Sequence, residues 1–175
     1  LVSVSFAAAI GAELPVDQPT GTMIVECGAG TTEIAVISLG GICTTRSVRV
    51  GGASLNQAIA DHLHFHHKFL VGDLTVERIK EEYSARRQES SCGSGALSVK
   101  GRSLTTRMPA ILEAKLSELD FVVERHMAQI VQTVREVLNE TAPELSQDIY
   151  SHGVFLTGGS AKTPGLSEMI THETG

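Results

Sequence analysis

Two hydrophobic rhythms divide this chain. A short unbroken apolar run, residues 23–25, has the length of a buried strand and carries the acid Glu26 at its far end. Beyond Gly28-Ala29-Gly30, residues 31–38 alternate, with Ile34, Val36 and Ser38 on one face. Gly40-Gly41 turns the chain into a third strand over residues 42–50, so the segment predicts an antiparallel meander. A last apolar run, Val154-Phe155-Leu156, leads into a second glycine turn, Thr157-Gly158-Gly159-Ser160.

Elsewhere apolar residues recur every three or four positions. Residues 6–11 close an alanine-rich helix, with Gly11 as its cap. Leu55, Ile59 and Leu63 form the stripe of a second helix, which Ser54 and Gln57 start as a capping box. Residues 74–83 predict a third, with Thr75 as cap and Leu74 stapled against Ile79. Residues 86–95 are polar and Ser-rich and predict an exposed loop, including Ser90-Ser91 and Gly93-Ser94-Gly95. Short strands over 96–100 and 103–106 around a Gly101-Arg102 turn complete a small insertion. From Pro109 the pattern turns helical, with Leu116, Leu119, Val123, Met127, Ile130, Val134 and Leu138 on one face. A break is expected near Asp120, Pro143 stops the run, and Pro164 opens a terminal helix with Leu166, Met169 and Ile170.

Composition narrows the class. With 175 residues, 42% of them hydrophobic, and a net charge of -6, the chain suits one globular α/β domain and lacks the basic block that nucleic acid requires. Cys27, Cys43 and Cys92 are odd in number and without metal-ligand spacing, which predicts a reduced, cytosolic setting. No apolar run reaches transmembrane length, and residues 1–10 lack the basic flank of a signal peptide. The missing initiator Met and the stop at Glu173-Thr174-Gly175 are expected of a fragment.

The first glycine turn carries the candidate chemistry. Gly28 and Gly30 let the backbone approach a ligand and take positive φ, so consecutive N–H groups converge on a phosphate. Thr31 and Thr32 add hydroxyl donors, and Glu26 is placed to hold the water shell of a phosphate-bound magnesium ion. The same residues also suit an ordinary β-hairpin. His62 and His66 lie four apart on one helical face near Asp61, a spacing that binds metal, but no third ligand is fixed and a solvated helix end explains the cluster. Glu77 and Lys80 share a face, as any surface ion pair does.

The order strand-strand-strand-helix-insert-helix-strand-helix resembles the second half of the actin, heat-shock chaperone and sugar kinase superfamily. The segments Ala7-Ala8-Ala9-Ile10-Gly11-Ala12, Cys27-Gly28-Ala29-Gly30-Thr31-Thr32-Glu33-Ile34, Val48-Arg49-Val50-Gly51-Gly52, Glu77-Arg78-Ile79-Lys80, Pro143-Glu144-Leu145 and Leu156-Thr157-Gly158-Gly159 narrow it to the bacterial actin family MreB. That resemblance implies an actin/ribonuclease-H-like ATPase fold: a mixed sheet with flanking helices over residues 1–72 and 108–175 (subdomain IIA), and a small α+β insertion over 73–107 (subdomain IIB). It implies ATP with Mg2+, self-assembly into head-to-tail filaments that govern rod cell shape, cell-elongation membrane proteins as partners, and a cytoplasmic position beneath the inner membrane. Membrane contact itself is expected from a first domain that this chain lacks. By match, Gly28, Ala29, Gly30, Thr31 and Thr32 hold phosphates, and Glu26 replaces the family's usual Asp beside the magnesium water. Glu77 and Lys80 approach the ribose or base, and Gly158, Gly159 and Ser160 bound the adenosine.

Two departures bear on activity. The family's Glu-Glu-Pro before the alanine-rich helix, one glutamate of which positions the attacking water, is Ser3-Val4-Ser5 here. Neither a hydroxyl nor Val4 replaces a carboxylate at neutral pH, so binding or assembly with impaired hydrolysis is expected. With one wall of the cleft present, these residues alone are expected to bind nucleotide weakly or undetectably. Rival expectations are a magnetosome-type MamK filament protein, a sugar-kinase-like phosphotransferase, and a remnant that folds without polymerising.

Overall fold

The computed structural model describes residues 3–89 and 95–174. In chain order the first elements are α1 (Val4–Gly11), β1 (Thr22–Cys27), β2 (Thr32–Ser38), β3 (Gly41–Val48) and α2 (Gly52–His67). Next come β4 (Phe69–Leu70), α3 (Asp73–Glu89), β5 (Ala96–Ser103), β6 (Pro109–Lys115) and α4 (Leu116–Glu140). The chain closes with α5 (Pro143–His152), β7 (Val154–Thr157), a 3-10 turn (Gly159–Lys162) and α6 (Leu166–Thr174). It divides into two compact units, residues 1–52 with 128–175 and residues 53–127. That division differs from the boundaries expected at 72/73 and 107/108: the smaller unit also takes α2 beyond Gly52 and the first half of α4.

The larger unit is built on a four-stranded mixed sheet in the order β3-β2-β1-β7. The first three strands form the expected antiparallel meander, and β7 joins β1 in parallel. Met23, Ile24, Val25, Ile34, Ala35, Val36 and Ile37 are all fully buried. The one-sided alternation expected for residues 31–38 is therefore replaced by burial on both faces, as befits a strand inside a sheet covered on both sides. The outer strand β3 exposes Thr45, Arg46 and Ser47, polar residues that discourage edge-to-edge pairing.

On one face α1 packs Phe6, Ala8 and Ala9 against Ile24, Ala35 and Ile37, joined by Leu14, Val16 and Phe155. Ser3 caps this helix by accepting from the Phe6 N–H at 3.4 Å. Its end falls at Ala12, with φ -88°, so Gly11 is not the left-handed cap expected of it. Pro143 does more than stop α4. It also opens α5, where a residue without an N–H costs the helix nothing, and Gly153 at φ +85° closes that helix.

In the smaller unit β4, β5 and β6 form an antiparallel sheet. Several expectations are corrected here. Residues 109–115 are a strand, and β5 runs unbroken through Gly101-Arg102, with the reversal coming after Ser103. The alternation in Ala110, Leu112 and Ala114 outweighs the helical spacing that begins only at Leu116. Helix α4 then runs 25 residues through Asp120 without a break. Ser54 and Thr75 lie inside α2 and α3 and not at the flanking positions expected of them, and Leu74, 90% exposed, staples nothing. Helix α3 continues to Glu89, through the first residues of the expected loop; Ser90-Ser91, Cys92 and Gly93-Ser94 fall outside the described residues.

Asp120 explains why α3 extends. Its Oδ1 accepts from the Tyr83 hydroxyl at 2.9 Å and from Arg87 Nε at 2.8 Å. Burial, then the bonded Asp120, pushes the Tyr83 hydroxyl well above its ordinary range. Asp120→Ala leaves the phenol and the guanidinium without this acceptor. It is expected to cost about 1–3 kcal/mol, measurable as a lower urea midpoint.

Candidate functional site

Parallel pairing of β1 with β7 sets Glu26 opposite Thr157, so both glycine turns leave the sheet at the same edge. Carboxyl ends of adjacent parallel strands are where open α/β sheets take ligands. The Gly28 carbonyl is the hub of this edge. It accepts from the Gly52 N–H at 3.1 Å and from the Ser160 hydroxyl at 2.9 Å, while the Gly28 N–H closes its own turn onto the Thr31 carbonyl at 2.9 Å. Three sequence-distant glycine segments thus meet around one peptide.

Close approach makes two of these glycines obligatory. A Cβ on Gly158, at φ +90°, would lie 2.3 Å from the Cys27 carbonyl oxygen, and one on Gly51 would lie 2.6 Å from the Gly28 carbonyl oxygen. Ala29, Gly30 and Thr31 form the exposed crest of the first turn, with open space above Gly30. The positive φ expected at Gly28 and Gly30 is absent; within the two turns it falls on Gly158 alone.

The two threonines separate. Thr31 is exposed on the crest, but Thr32 is fully buried and its hydroxyl donates to the Val50 carbonyl at 2.7 Å. Thr32 therefore braces the turn, and the hydroxyl donor expected from it is spent internally. Ser160 likewise acts through its bond to Gly28, with Gly158 and Gly159 exposed beside it. Cys27 lies beneath, and burial pushes its thiol up to about 11, which leaves it inert.

Glu26 has a partner that sequence reasoning missed. The β1–β2 register places Glu33 directly across from it. Burial first, and the Glu33 charge second, hold the Glu26 carboxyl above its usual range. Two carboxylates paired across the strands beside the exposed glycine crest form an oxygen donor set of the kind a hard divalent cation takes. The Glu33 Oε1 also accepts from Ser3 Oγ at 3.0 Å and from Ser5 Oγ at 2.6 Å. The signal was available: a turn closing Cys27 on Thr32 pairs 26 with 33 by counting.

Glu77 and Lys80 belong to the smaller unit. Lys80 Nζ lies 2.8 Å from Glu77 Oε1, and Asn56 Nδ2 donates to the other Glu77 oxygen. Lys80, then Asn56, holds the Glu77 carboxyl below its usual range. They form a local cluster on α2 and α3.

A family model described as MreB/Mbl protein matches residues 1–175. The chain belongs to this family. It is 37% identical over 175 residues to the cell shape-determining protein MreB of Escherichia coli (strain K12), covering 100% of this chain and 50% of that relative. To the cell shape-determining protein Mbl of Bacillus subtilis (strain 168) it is 36% identical over 171 residues, or 95% of this chain and 49% of the relative. The chain thus spans about half the length of the curated MreB and Mbl relatives it matches. Among solved structures, MreB5 of Spiroplasma citri bound to AMPPNP superposes with a TM-score of 0.88 at 26% identity, over 96% of this chain and 50% of that one. The MamK double helical filament superposes with a TM-score of 0.72 at 18% identity, over 98% of this chain and 50% of that one, a likeness of fold. The fold is the actin-like ATPase fold that the sequence resemblance implied. Among the described residues no helix is long and apolar enough to cross a membrane.

Proposed function

We propose that this chain is the second-domain half of an ATP-binding, MreB/Mbl-type filament protein that acts in rod cell shape at the inner face of the membrane. The observation that carries this reading is the Gly28 hub, which holds the turns after β1 and β7 at one sheet edge beside Glu26 and Glu33. The crest at 29–31 would present its backbone to the β- and γ-phosphates, and Gly158-Gly159 would leave room for the nucleoside. Glu26 would hold the water shell of Mg2+, with Glu33 across from it. A bound magnesium ion supplies charge neutralisation of the phosphates. Two features support the fit: the pairing of Glu33 across from Glu26, and a Glu26 carboxylate whose charge a cation would relieve.

Head-to-tail self-assembly, with the nucleotide setting filament affinity, is the partner reading that goes with it. Solved MreB5 bound to AMPPNP and the MamK double helical filament support this by likeness. Glu77 and Lys80 are proposed to approach the ribose or base, on the family match alone.

The test is calorimetry of Mg-ATP against the full-length protein and its Glu26→Gln variant, with sedimentation of both. Affinity is expected to fall about 10- to 100-fold in the variant, the usual effect of losing a metal's outer-shell partner. Unchanged affinity would sink the magnesium role. Stability should move the other way. A folded-state carboxyl raised above its unfolded value binds its proton more tightly when folded, so it stabilises at low pH and loses that contribution as pH rises through the folded value. Glu26→Gln is therefore expected to gain thermal midpoint over the native chain increasingly from about pH 4 to pH 7.

A further inference from the structure

The histidine-rich end of α2 supplies a feature that the nucleotide reading does not use. From sequence, His62 and His66 were the spaced pair, no third ligand was fixed, and solvent was expected around them. The fold pairs His62 with His67 instead, and brings Glu118, in the first turn of α4, to both. His67 Nε2 lies 2.8 Å and His62 Nε2 3.8 Å from the same Glu118 Oε2, and the three ligand atoms all lie within 4.8 Å of one another. His62 is not solvated. Its side chain is 13% exposed, and its Nε2 is buried with no hydrogen-bond partner. His66 stacks face-on against the His62 ring, with centroids 4.5 Å apart, and contributes no ligand atom to the cluster.

We propose that His62, His67 and Glu118 form a binding site for a zinc-class divalent metal ion, which staples the C-terminal turn of α2 to the N-terminal turn of α4. A tetrahedral ion with bonds of about 2.0–2.2 Å separates its ligands by about 3.3 Å, a spacing bracketed by the 2.8 and 3.8 Å observed. Two imidazoles and one carboxylate select zinc-like ions over magnesium, which takes oxygen donors. An ion would also satisfy the buried His62 nitrogen, an otherwise costly orphan. With Glu118 and His67 partly exposed, a water completes the shell. The ion would close a 51-residue separation within the smaller unit and stabilise it accordingly.

The experiment uses the whole chain without a polyhistidine tag, stripped by chelator and titrated with Zn2+ by calorimetry and with Co2+ by visible absorption. One ion per chain, an intense tetrahedral Co2+ spectrum, a rise in thermal midpoint reversed by chelator, and no competition from excess Mg2+ are expected. His67→Asn and Glu118→Gln should each weaken Zn2+ by more than the roughly 10- to 100-fold that an outer-shell loss costs, while His66→Asn stays within about threefold of the native chain. Equal affinity in Glu118→Gln and the native chain would overturn the site, as would loss in His66→Asn alone. Where a variant fails to fold, the native chain still decides: a weak six-coordinate Co2+ spectrum, or no change in midpoint with Zn2+, refutes the staple.

Discussion

Gly158→Val is expected to destabilise the protein by roughly 3 kcal/mol or more and to abolish Mg-ATP binding by the full-length protein. Both terms act at one atom. The new Cβ would meet the Cys27 carbonyl oxygen at 2.3 Å, and the branched side chain would have to adopt φ +90°, which it resists. Neither backbone strand has room to retreat, because β1 and β7 are hydrogen-bonded neighbours and Met23, Ile24 and Val25 are wholly buried. Gly159→Ala is the control. Nothing lies within 4 Å of that position, so its effect should stay within about 0.5 kcal/mol. Urea denaturation of both variants checks the pair, and equal midpoints would show that the close approach carries no energy.

The second large effect concerns turnover. In the full-length protein ATP hydrolysis is expected to run about two to four orders of magnitude below that of an MreB carrying the family's Glu-Glu-Pro. The residues at those positions, Ser3 and Ser5, donate their hydroxyls to Glu33 at 3.0 and 2.6 Å, so they are already engaged, and Val4 at the first helical position is 57% exposed with no polar atom to offer. Restoring both acids, Ser3→Glu with Val4→Glu, is expected to raise the rate, and single-turnover phosphate release measures it. A native rate matching an ordinary bacterial actin would contradict this, and a loss of that rate in Glu33→Gln would then assign the missing carboxylate to β2.

What was legible in the sequence follows the range of the forces involved. The glycine turns were readable because close backbone approach is a local demand that few other residues meet, as at Gly158 and Gly51. Leu119, Val123, Met127, Ile130 and Val134 predicted their own burial through spacing alone. Residues 109–115 did not, because the strong stripe of α4 was extrapolated backwards over a strand whose pairing partner, β5, is needed to see it. Thr75 was misplaced for a similar reason: the Gly72 carbonyl, accepting from the Thr75 and Val76 N–H groups, begins α3 earlier.

The site divides along the same line. That Glu26 and a glycine crest adjoin was visible in eleven consecutive residues, 22–32. That Glu33 faces Glu26 required the strand register, and that Thr32 turns inward to Val50 required the depth of the sheet. Glu118 was out of reach altogether, since only tertiary packing brings a helix start to His67, 51 residues earlier, and to His62 beside it.

Synthesis order gives the Gly28 carbonyl a temporal meaning. One of its two donors, Gly52, is available almost as soon as the first turn leaves the ribosome, but the other, Ser160, is made 132 residues after Gly28. A nascent chain that has not yet reached β7 and the turn after it therefore lacks the bolt that holds the two glycine turns together.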